Sequence, residues 1–285
     1  MKKQAYFLLF LSALLWGSSF PVIKFGLNRG IDPISFLTVR LFIASILIIP
    51  FIKREINLKV FSEKKILLLG ITNAGGFFFQ YIGQKYTFAN NAVVIANLIV
   101  IFVAVLSFII LKERFGIFKV SGVILSFIGL ILVSGVDPVR LNFNKGDLIM
   151  LLSPILWSFF VILSKDISDS GSIKKYLFPI YFLTFLFLIP MTNFSKINFN
   201  LTFILLIIYL AIFCTIVPYL FFLKAMRTVS ATTATIITSF EIIFSIIIAY
   251  FLLGETIGLR FLVGLILIFT AIVLVEKKQN FEISK

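Results

Sequence analysis

Long runs of apolar residues, separated by short polar stretches, dominate the pattern of this 285-residue chain. A helix rises about 1.5 Å per residue, so about 20 apolar residues cross the roughly 30 Å hydrocarbon core of a bilayer. Ten runs of about this length predict ten membrane-spanning helices. These spans 1 to 10 cover residues 5–27, 34–52, 65–83, 91–111, 117–135, 147–164, 175–192, 201–223, 231–253 and 258–275. The pattern therefore predicts an all-α integral membrane protein whose partner is the lipid bilayer, with short loops between its spans.

The composition supports the same prediction and excludes several functions. The chain is 60% hydrophobic and 13% charged, too little polar surface for a soluble domain of this size. The net charge is +14, and the basic residues that give rise to it lie between the apolar runs, as in membrane proteins. We therefore expect no nucleic-acid partner. The chain has no histidine and one cysteine, Cys214, so we expect no metal site, no cofactor and no enzymatic activity. It also lacks a Walker loop, so ATP is not expected to be used by this chain.

The distribution of basic residues predicts the orientation of the chain. With the N-terminus placed in the cytoplasm, 18 of the 26 Lys and Arg residues fall on the cytoplasmic side and eight on the other. Cytoplasmic loops of membrane proteins carry such an excess. The first apolar run continues past its small residues to Leu27 without an A-x-A-like cleavage site, so we expect an uncleaved first span. We therefore expect a multi-pass protein of the cytoplasmic membrane with both termini in the cytoplasm.

The sequence also repeats itself. The stretch 12–16, Ser-Ala-Leu-Leu-Trp, matches 153–157, Ser-Pro-Ile-Leu-Trp, at an offset of 141 residues. The stretch 111–116 around Glu113 matches 253–258 around Glu255 at an offset of 142 residues. Near-constant offsets at separate places indicate an internal duplication.

Each copy holds five spans, an odd number, so the second copy must enter the membrane from the opposite side. We predict an inverted repeat, a feature typical of transporters, although a duplication kept only for packing is the alternative. The predicted units are a first five-helix repeat over 1–136, a second over 137–278 and a cytoplasmic tail over 279–285.

Several stretches, taken in order, resemble the EamA-type carriers of the drug/metabolite transporter superfamily. They are Trp16–Pro21, Arg40, the Leu-Lys-Glu-Arg stretch around Glu113, Ala225–Ala231 followed by Glu241, and the Leu-Gly-Glu stretch ending at Glu255. The resemblance covers essentially the whole chain. It implies two EamA-like repeats in a ten-helix inner-membrane carrier whose substrates are amino acids, related metabolites or drugs, usually exported.

The chain departs from that family at two points. Members often carry proline after the glutamate that matches Glu241, and another at the matching point of span 4. Here Ile242 and residues 97–101 supply no proline. The sequence therefore predicts no proline kink in spans 4 and 9.

Glu241 is the most informative candidate for substrate binding. It lies about ten residues into span 9, roughly 15 Å deep and near the membrane midplane. A carboxyl group there costs several kcal/mol unless it faces a cavity or a partner. It could couple protons or recognise an amine, or it could be a structural acid bonded to helix ends or to the hydroxyls of Thr238 and Ser239.

The two tryptophans, Trp16 and Trp157, fall at matching points of the repeats and near mid-depth. Membrane tryptophans usually lie at the interface, so we predict that this pair walls a central pocket and stacks on the apolar part of a substrate. Packing between helices is the alternative.

Uncharged polar and aromatic residues complete the predicted site. Asn73, Phe77, Gln80 and Gln84 recur at three- and four-residue steps and share one face of span 3, beside the glycine pair at 75–76. Asn97 in span 4 also needs a polar partner, and Tyr219 is placed at the cytoplasmic end of the pocket. For Asn73, Phe77, Gln80, Asn97 and Tyr219, hydrogen bonding between helices without a substrate is the alternative.

Three further features are interpreted as structural. Arg40, about six residues into span 2, is expected to snorkel outward as an interfacial anchor. Glu113 and Glu255 lie at helix ends, where capping or pairing with basic residues is expected. Small residues at 122, 126 and 129 form a stripe in span 5, which could serve the fold or a homodimer.

The sequence thus favours a secondary carrier with alternating access around a central cavity that binds a small-molecule substrate. A lipid flippase would need a lateral opening and a channel a continuous polar pore, and both remain alternatives. An intramembrane enzyme is disfavoured because the chain has no histidine, one cysteine and one deeply placed carboxylate.

Overall fold

The computed structural model describes residues 2–52, 58–134, 144–169, 173–256 and 260–281. These residues form helices and no strands. The α-helices are α1 (Lys2–Asn28), α2 (Pro33–Ile52), α3 (Lys64–Tyr86), α4 (Ala89–Asn97), α5 (Ile99–Ile109), α6 (Ile117–Ser134), α7 (Lys145–Met150), α8 (Leu152–Asp169), α9 (Ile173–Leu188), α10 (Leu201–Ala211), α11 (Val217–Met226), α12 (Ala231–Thr238), α13 (Glu241–Leu253) and α14 (Arg260–Phe281). Short 3₁₀ turns cover Leu58–Ser62, Ile189–Met191 and Phe194–Lys196, and a π-helical turn covers Ile212–Ile216. The predicted boundary at 136/137 and residues 282–285 of the predicted tail lie outside the described residues.

The helical prediction is confirmed, and its apolar segments recur in the structure. Among the described residues, seven helical segments are long and apolar enough to cross a membrane, judged by length and composition. They are Lys2–Asn28, Pro33–Ile52, Lys64–Tyr86, Ala89–Ile109, Lys145–Asp169, Leu201–Met226 and Ala231–Leu253. Shorter apolar helices, Ile117–Gly129, Lys175–Met191 and Leu262–Leu274, fall where spans 5, 7 and 10 were predicted.

Two spanning segments are broken in the middle, although neither contains a proline at the break. The first break lies at Leu98, between α4 and α5, and the second at Ser239–Phe240, between α12 and α13. Both use the same three-residue turn: Ile101 N–H donates to Leu98 O at 3.0 Å, and Ile243 N–H donates to Phe240 O at 3.0 Å. The two turns are 142 residues apart, so the breaks obey the offset of the sequence repeat.

Side chains that compete for backbone carbonyls account for the breaks. Asn97 Nδ2 donates to Val93 O at 2.9 Å, and that carbonyl is the one its own backbone N–H would use in a regular helix. On the other segment, the hydroxyls of Thr238 and Ser239 both donate to Thr235 O at 3.1 Å. Such local bonds weaken and bend the helical ladder, so a break forms here without the proline that the resemblance led us to look for.

The first long apolar segment of each half packs against a helix of the other half through a matched bond. Ser12 Oγ of α1 donates to Pro218 O of α11 at 3.0 Å, and Ser153 Oγ of α8 donates to Gly76 O of α3 at 2.9 Å. Ser12 and Ser153 are the first residues of the repeated motif. The repeated serines therefore lock the two halves together in equivalent ways.

A glutamate follows each broken segment and caps the beginning of the other broken segment. Glu255, after α13, accepts from the backbone N–H groups of Ala89 and Asn90 at 2.9 and 3.0 Å, at the start of α4. Glu113, after α5, accepts from Ala231 N–H at 3.0 Å, at the start of α12. These carboxylates satisfy N–H groups that a helix leaves unpaired at its beginning, which confirms the capping role expected for them. The two broken segments consequently run antiparallel.

The small-residue stripe of span 5 serves the fold at its last position. A Cβ added to Gly129 of α6 would lie 2.8 Å from Gly264 O of α14. The absence of a side chain lets these two helices approach each other closely.

Candidate functional site

A cavity of about 890 Å³, including its mouth, lies between the two halves of the chain. All eight residues predicted from the sequence to bind substrate line it: Trp16, Asn73, Phe77, Gln80, Asn97, Trp157, Tyr219 and Glu241. The other lining residues are Ser19, Phe20, Arg40, Ala96, Ile99, Phe160, Val161, Tyr181, Cys214, Thr215, Phe222, Thr235 and Thr238. The structure thus brings the predicted residues together, and their binding of a substrate stays a prediction.

Glu241 lies at the break in the second spanning segment, as the first residue of α13. Its Oε1 atom accepts from Asn97 Nδ2 at 2.6 Å, at the end of α4. The carboxyl group therefore joins the two broken segments at the cavity. The expected partners Thr238 and Ser239 bond to Thr235 O instead, because their hydroxyls serve the break itself.

The two tryptophans pack against aromatic rings of the opposite half. Trp16 lies 5.3 Å from Phe222, and Trp157 lies 5.3 Å from Phe77 at an interplanar angle of 87°. Gly76 lets α3 approach the Trp157 indole, because an added Cβ would lie closer than 3.0 Å to ring atoms. The tryptophans consequently serve both packing and the cavity wall.

The predicted polar face of span 3 divides between two environments. Asn73 Nδ2 donates to Thr184 Oγ1 at 3.1 Å, while Gln80 Oε1 is buried and has no hydrogen-bond partner. Gln84 lies outside the cavity lining, and its Nε2 atom donates to Phe20 O at 3.3 Å. Three of the four residues on this face therefore reach the cavity.

The interpretation of Arg40 as an interfacial anchor was wrong. The side chain is 1% exposed and lines the cavity. Its Nε, Nη1 and Nη2 atoms donate to Thr215 Oγ1 at 2.8 Å, Tyr81 Oη at 2.9 Å and Cys214 O at 2.8 Å. Its Cζ atom lies 5.0 Å from the centre of the Phe77 ring. Arg40 turns inward because these acceptors and this ring are within reach there.

Pro218 is the sequence signal that could have located the partner of Arg40. Proline has no N–H, so the carbonyl four residues earlier, Cys214 O, loses its helical donor. Within the π-helical turn at Ile212–Ile216, Thr215 Oγ1 donates a hydrogen bond to Leu210 O at 2.9 Å. Such turns often lie at functional sites. The freed Cys214 carbonyl and the Thr215 hydroxyl are the atoms that accept from Arg40.

Tyrosines, which the sequence indicated only in part, close the same region. Tyr219 shares a hydrogen bond of 2.9 Å with Ser164 Oγ and lies 5.3 Å from the Phe160 ring. Tyr181, which we did not predict, donates to Thr215 O at 3.1 Å. No periodic pattern separates this tyrosine from the other apolar residues of its helix.

The cavity carries one positive and one negative side chain, held by neutral partners. Among the ion pairs formed by the described residues, none includes Arg40 or Glu241. The part of the chain that the structure describes holds no group of three His, Cys, Asp or Glu residues able to bind a metal ion.

Apolar helices of membrane-spanning length around an aromatic and polar cavity define a multi-pass membrane protein of the transporter class. The sequence model of the EamA-like transporter family matches residues 3–135 and 144–276. The chain belongs to this family, whose members carry small molecules across membranes.

Individual relatives agree with the family. An uncharacterized transporter of Archaeoglobus fulgidus is 31% identical over 268 residues, 93% of this chain and 83% of that protein. The uncharacterized transporter YdfC of Bacillus subtilis is also 31% identical, over 88% of this chain and 83% of that protein. A solved crystal structure matches 96% of this chain and 97% of its own with a TM-score of 0.76, at 14% identity. That likeness shows the fold alone.

Proposed function

We propose that this protein is a secondary transporter that moves small metabolites, amino acids or related compounds and drugs, out of the cell by alternating access. In this proposal it lies in the cytoplasmic membrane with both termini in the cytoplasm. Ten spans form two inverted five-helix repeats, over 1–136 and 137–278. The substrate binds in the cavity between them, on the eight predicted residues.

The observation that carries the proposal is the matched pair of broken segments at the cavity. Discontinuous helices whose ends face a central site are typical of secondary transporters. Here the two breaks lie 142 residues apart, and the Asn97–Glu241 bond joins them at 2.6 Å. The matched serine bonds and glutamate caps support the inverted arrangement, since each of these four residues makes its contact at the position equivalent to that of its counterpart.

The same geometry favours a mechanism in which the halves rock around the bound substrate. The caps of Glu113 and Glu255 lie at opposite ends of the antiparallel broken segments. Releasing one cap while keeping the other would open one end of the cavity. Glu241 would couple this movement to a proton or to the amine of the substrate, because its carboxyl group lies at the point where the segments meet.

Flux measurements on Glu241→Gln test the proposal. The purified chain would be reconstituted in proteoliposomes, and flux of labelled phenylalanine, chosen for the ring-lined cavity, would be followed with and without a pH gradient. Glutamine can still accept the bond from Asn97 but cannot carry a charge or a proton. We expect wild-type flux to depend on the gradient, and the variant to insert normally but to lose at least about 90% of this flux.

Asp166→Asn is the matched control, because it removes a carboxylate that is 56% exposed and pairs with Lys65 away from the cavity. We expect its flux to equal that of the wild type. Normal flux with unchanged pH dependence in Glu241→Gln would refute the coupling role. Flux in the wild type that shows no saturation would favour a channel instead of a carrier.

A further inference from the structure

The charge on Arg40 is only partly compensated in the structure. A guanidinium group remains charged in proteins and has five N–H donors. Three of these donors serve Thr215, Tyr81 and Cys214 O, all of which are neutral acceptors. Within the described residues, no carboxylate forms an ion pair with it. Two N–H donors therefore remain for a group that enters the cavity.

Neutral acceptors alone are a weak explanation for this charge. Burying a cation costs several kcal/mol even when polar atoms surround it, so such groups in membrane helices usually pair or face a substrate. The Phe77 ring, 5.0 Å from Arg40 Cζ, adds a contact with the ring face but no negative charge. An anion that enters the cavity would supply the negative charge that these neutral acceptors lack.

A second residue of the cavity lining has a hydrogen-bond acceptor without a partner. Gln80 is 2% exposed, its Oε1 atom has no hydrogen-bond partner, and the side chain lines the cavity. Gln80 lies three residues after Phe77 on α3 and directly before Tyr81, which binds Arg40. A buried acceptor without a partner is costly, and a donor from the substrate would remove that cost.

We propose that Arg40 binds a carboxylate of the substrate, and that Gln80 Oε1 accepts a hydrogen bond from the ammonium or hydroxyl group next to it. The guanidinium fork matches a planar carboxylate, and the ring-lined wall takes an apolar side chain. The proposal rests on the proposed function and defines its substrate class: small carboxylic acids with an apolar side chain. Amines that lack a carboxylate are excluded.

The experiment compares four ligands that share one side chain. Phenylalanine, 3-phenylpropionate, phenylalaninamide and phenethylamine would each be titrated against the purified full chain, with binding followed by thermal stabilisation. We expect the two carboxylates to bind at least about tenfold more tightly than the amide and the amine. Phenylalanine should bind more tightly than 3-phenylpropionate, because only phenylalanine can donate to Gln80.

Variants of Arg40 test the same preference. In Arg40→Gln the difference between acids and amines should disappear, and Arg40→Lys should restore part of it, because lysine keeps the charge without the fork. Arg29→Gln is the control: Arg29 is exposed, lies outside the cavity lining and should leave the preference unchanged. If Arg40→Gln fails to fold, the wild-type comparison decides alone.

Three results would overturn the carboxylate site. They are equal binding of acids and amines by the wild type, undiminished acid binding by Arg40→Gln, and binding of none of the four ligands. In each case saturable flux of other solutes in the proteoliposome assay would leave the transport function standing. If the wild type showed no flux of any solute in that assay, the result would count against the transport function itself.

Discussion

The glycine pair of α3 offers a test of the cavity wall in which two adjacent, chemically identical changes should differ. Gly76 faces the Trp157 indole. A Cβ added to Gly76 would lie less than 3.0 Å from atoms of the indole, closer than Cβ atoms approach other atoms in proteins. Ordinary carbon contacts need roughly 3.5 Å, so the indole must move by about 1 Å. At Gly75 the added Cβ would meet Leu156 Cδ1 at 2.7 Å, the far end of a flexible side chain, which can turn away.

The expected cost follows from this difference. Crowding a packed site costs about 1–3 kcal/mol, and the indole of Trp157 relieves it by moving into the cavity. A substrate must then push the ring back, so Gly76→Ala should weaken binding by roughly five- to 150-fold. Both variants gain up to about 1 kcal/mol of helix propensity, so this contribution cancels in the comparison.

Titration of phenylalanine by thermal stabilisation would measure both variants against the wild type. We expect Gly75→Ala to bind within about twofold of the wild type. Equal affinities for Gly76→Ala and Gly75→Ala would show that the position of the indole does not limit binding, and the assignment of Trp157 to the cavity wall would have to be withdrawn.

Four other substitutions separate the roles of the remaining groups. Trp157→Ala should weaken substrate affinity more than it lowers expression, and the reverse, seen by titration and quantified yield, would favour packing alone. Glu255→Ala should lower the midpoint of thermal unfolding in detergent, because it removes a cap worth about 0.5–2 kcal/mol. Glu113→Ala should lower this midpoint further, because Glu113 also pairs with Lys119 at 2.6 Å. Unchanged midpoints would contradict the capping role. Asn97→Leu should reduce flux by leaving Glu241 without its partner, whereas flux at the wild-type level would show that the bond is dispensable.

The helical fold and eight of the residues that line the cavity could be predicted from the sequence because lipid imposes simple rules. Apolar runs of fixed length predict helices, and a polar or central aromatic residue in such a run avoids lipid only by facing the interior. Asn73, Gln80 and Trp157 reach the cavity for this reason.

Other features depend on contacts that no local pattern records. Arg40 at its depth could reach either the interface or the interior, and its partner Thr215 lies 175 residues away. The partner of Glu241 is Asn97, 144 residues away, and not the neighbouring hydroxyls. The helix breaks arise from side-chain hydrogen bonds to Val93 O and Thr235 O. Predicting these bonds requires the side-chain rotamers, which the sequence pattern does not give.

The crossed glutamate caps also constrain how the chain is made. Ala89 and Asn90 receive their acceptor from Glu255, which the ribosome adds about 165 residues later. During synthesis the two N–H groups at the start of α4 therefore lack this acceptor until most of the second half has been made. The first half is thus incomplete on its own, because one of its helix caps is supplied by the second half.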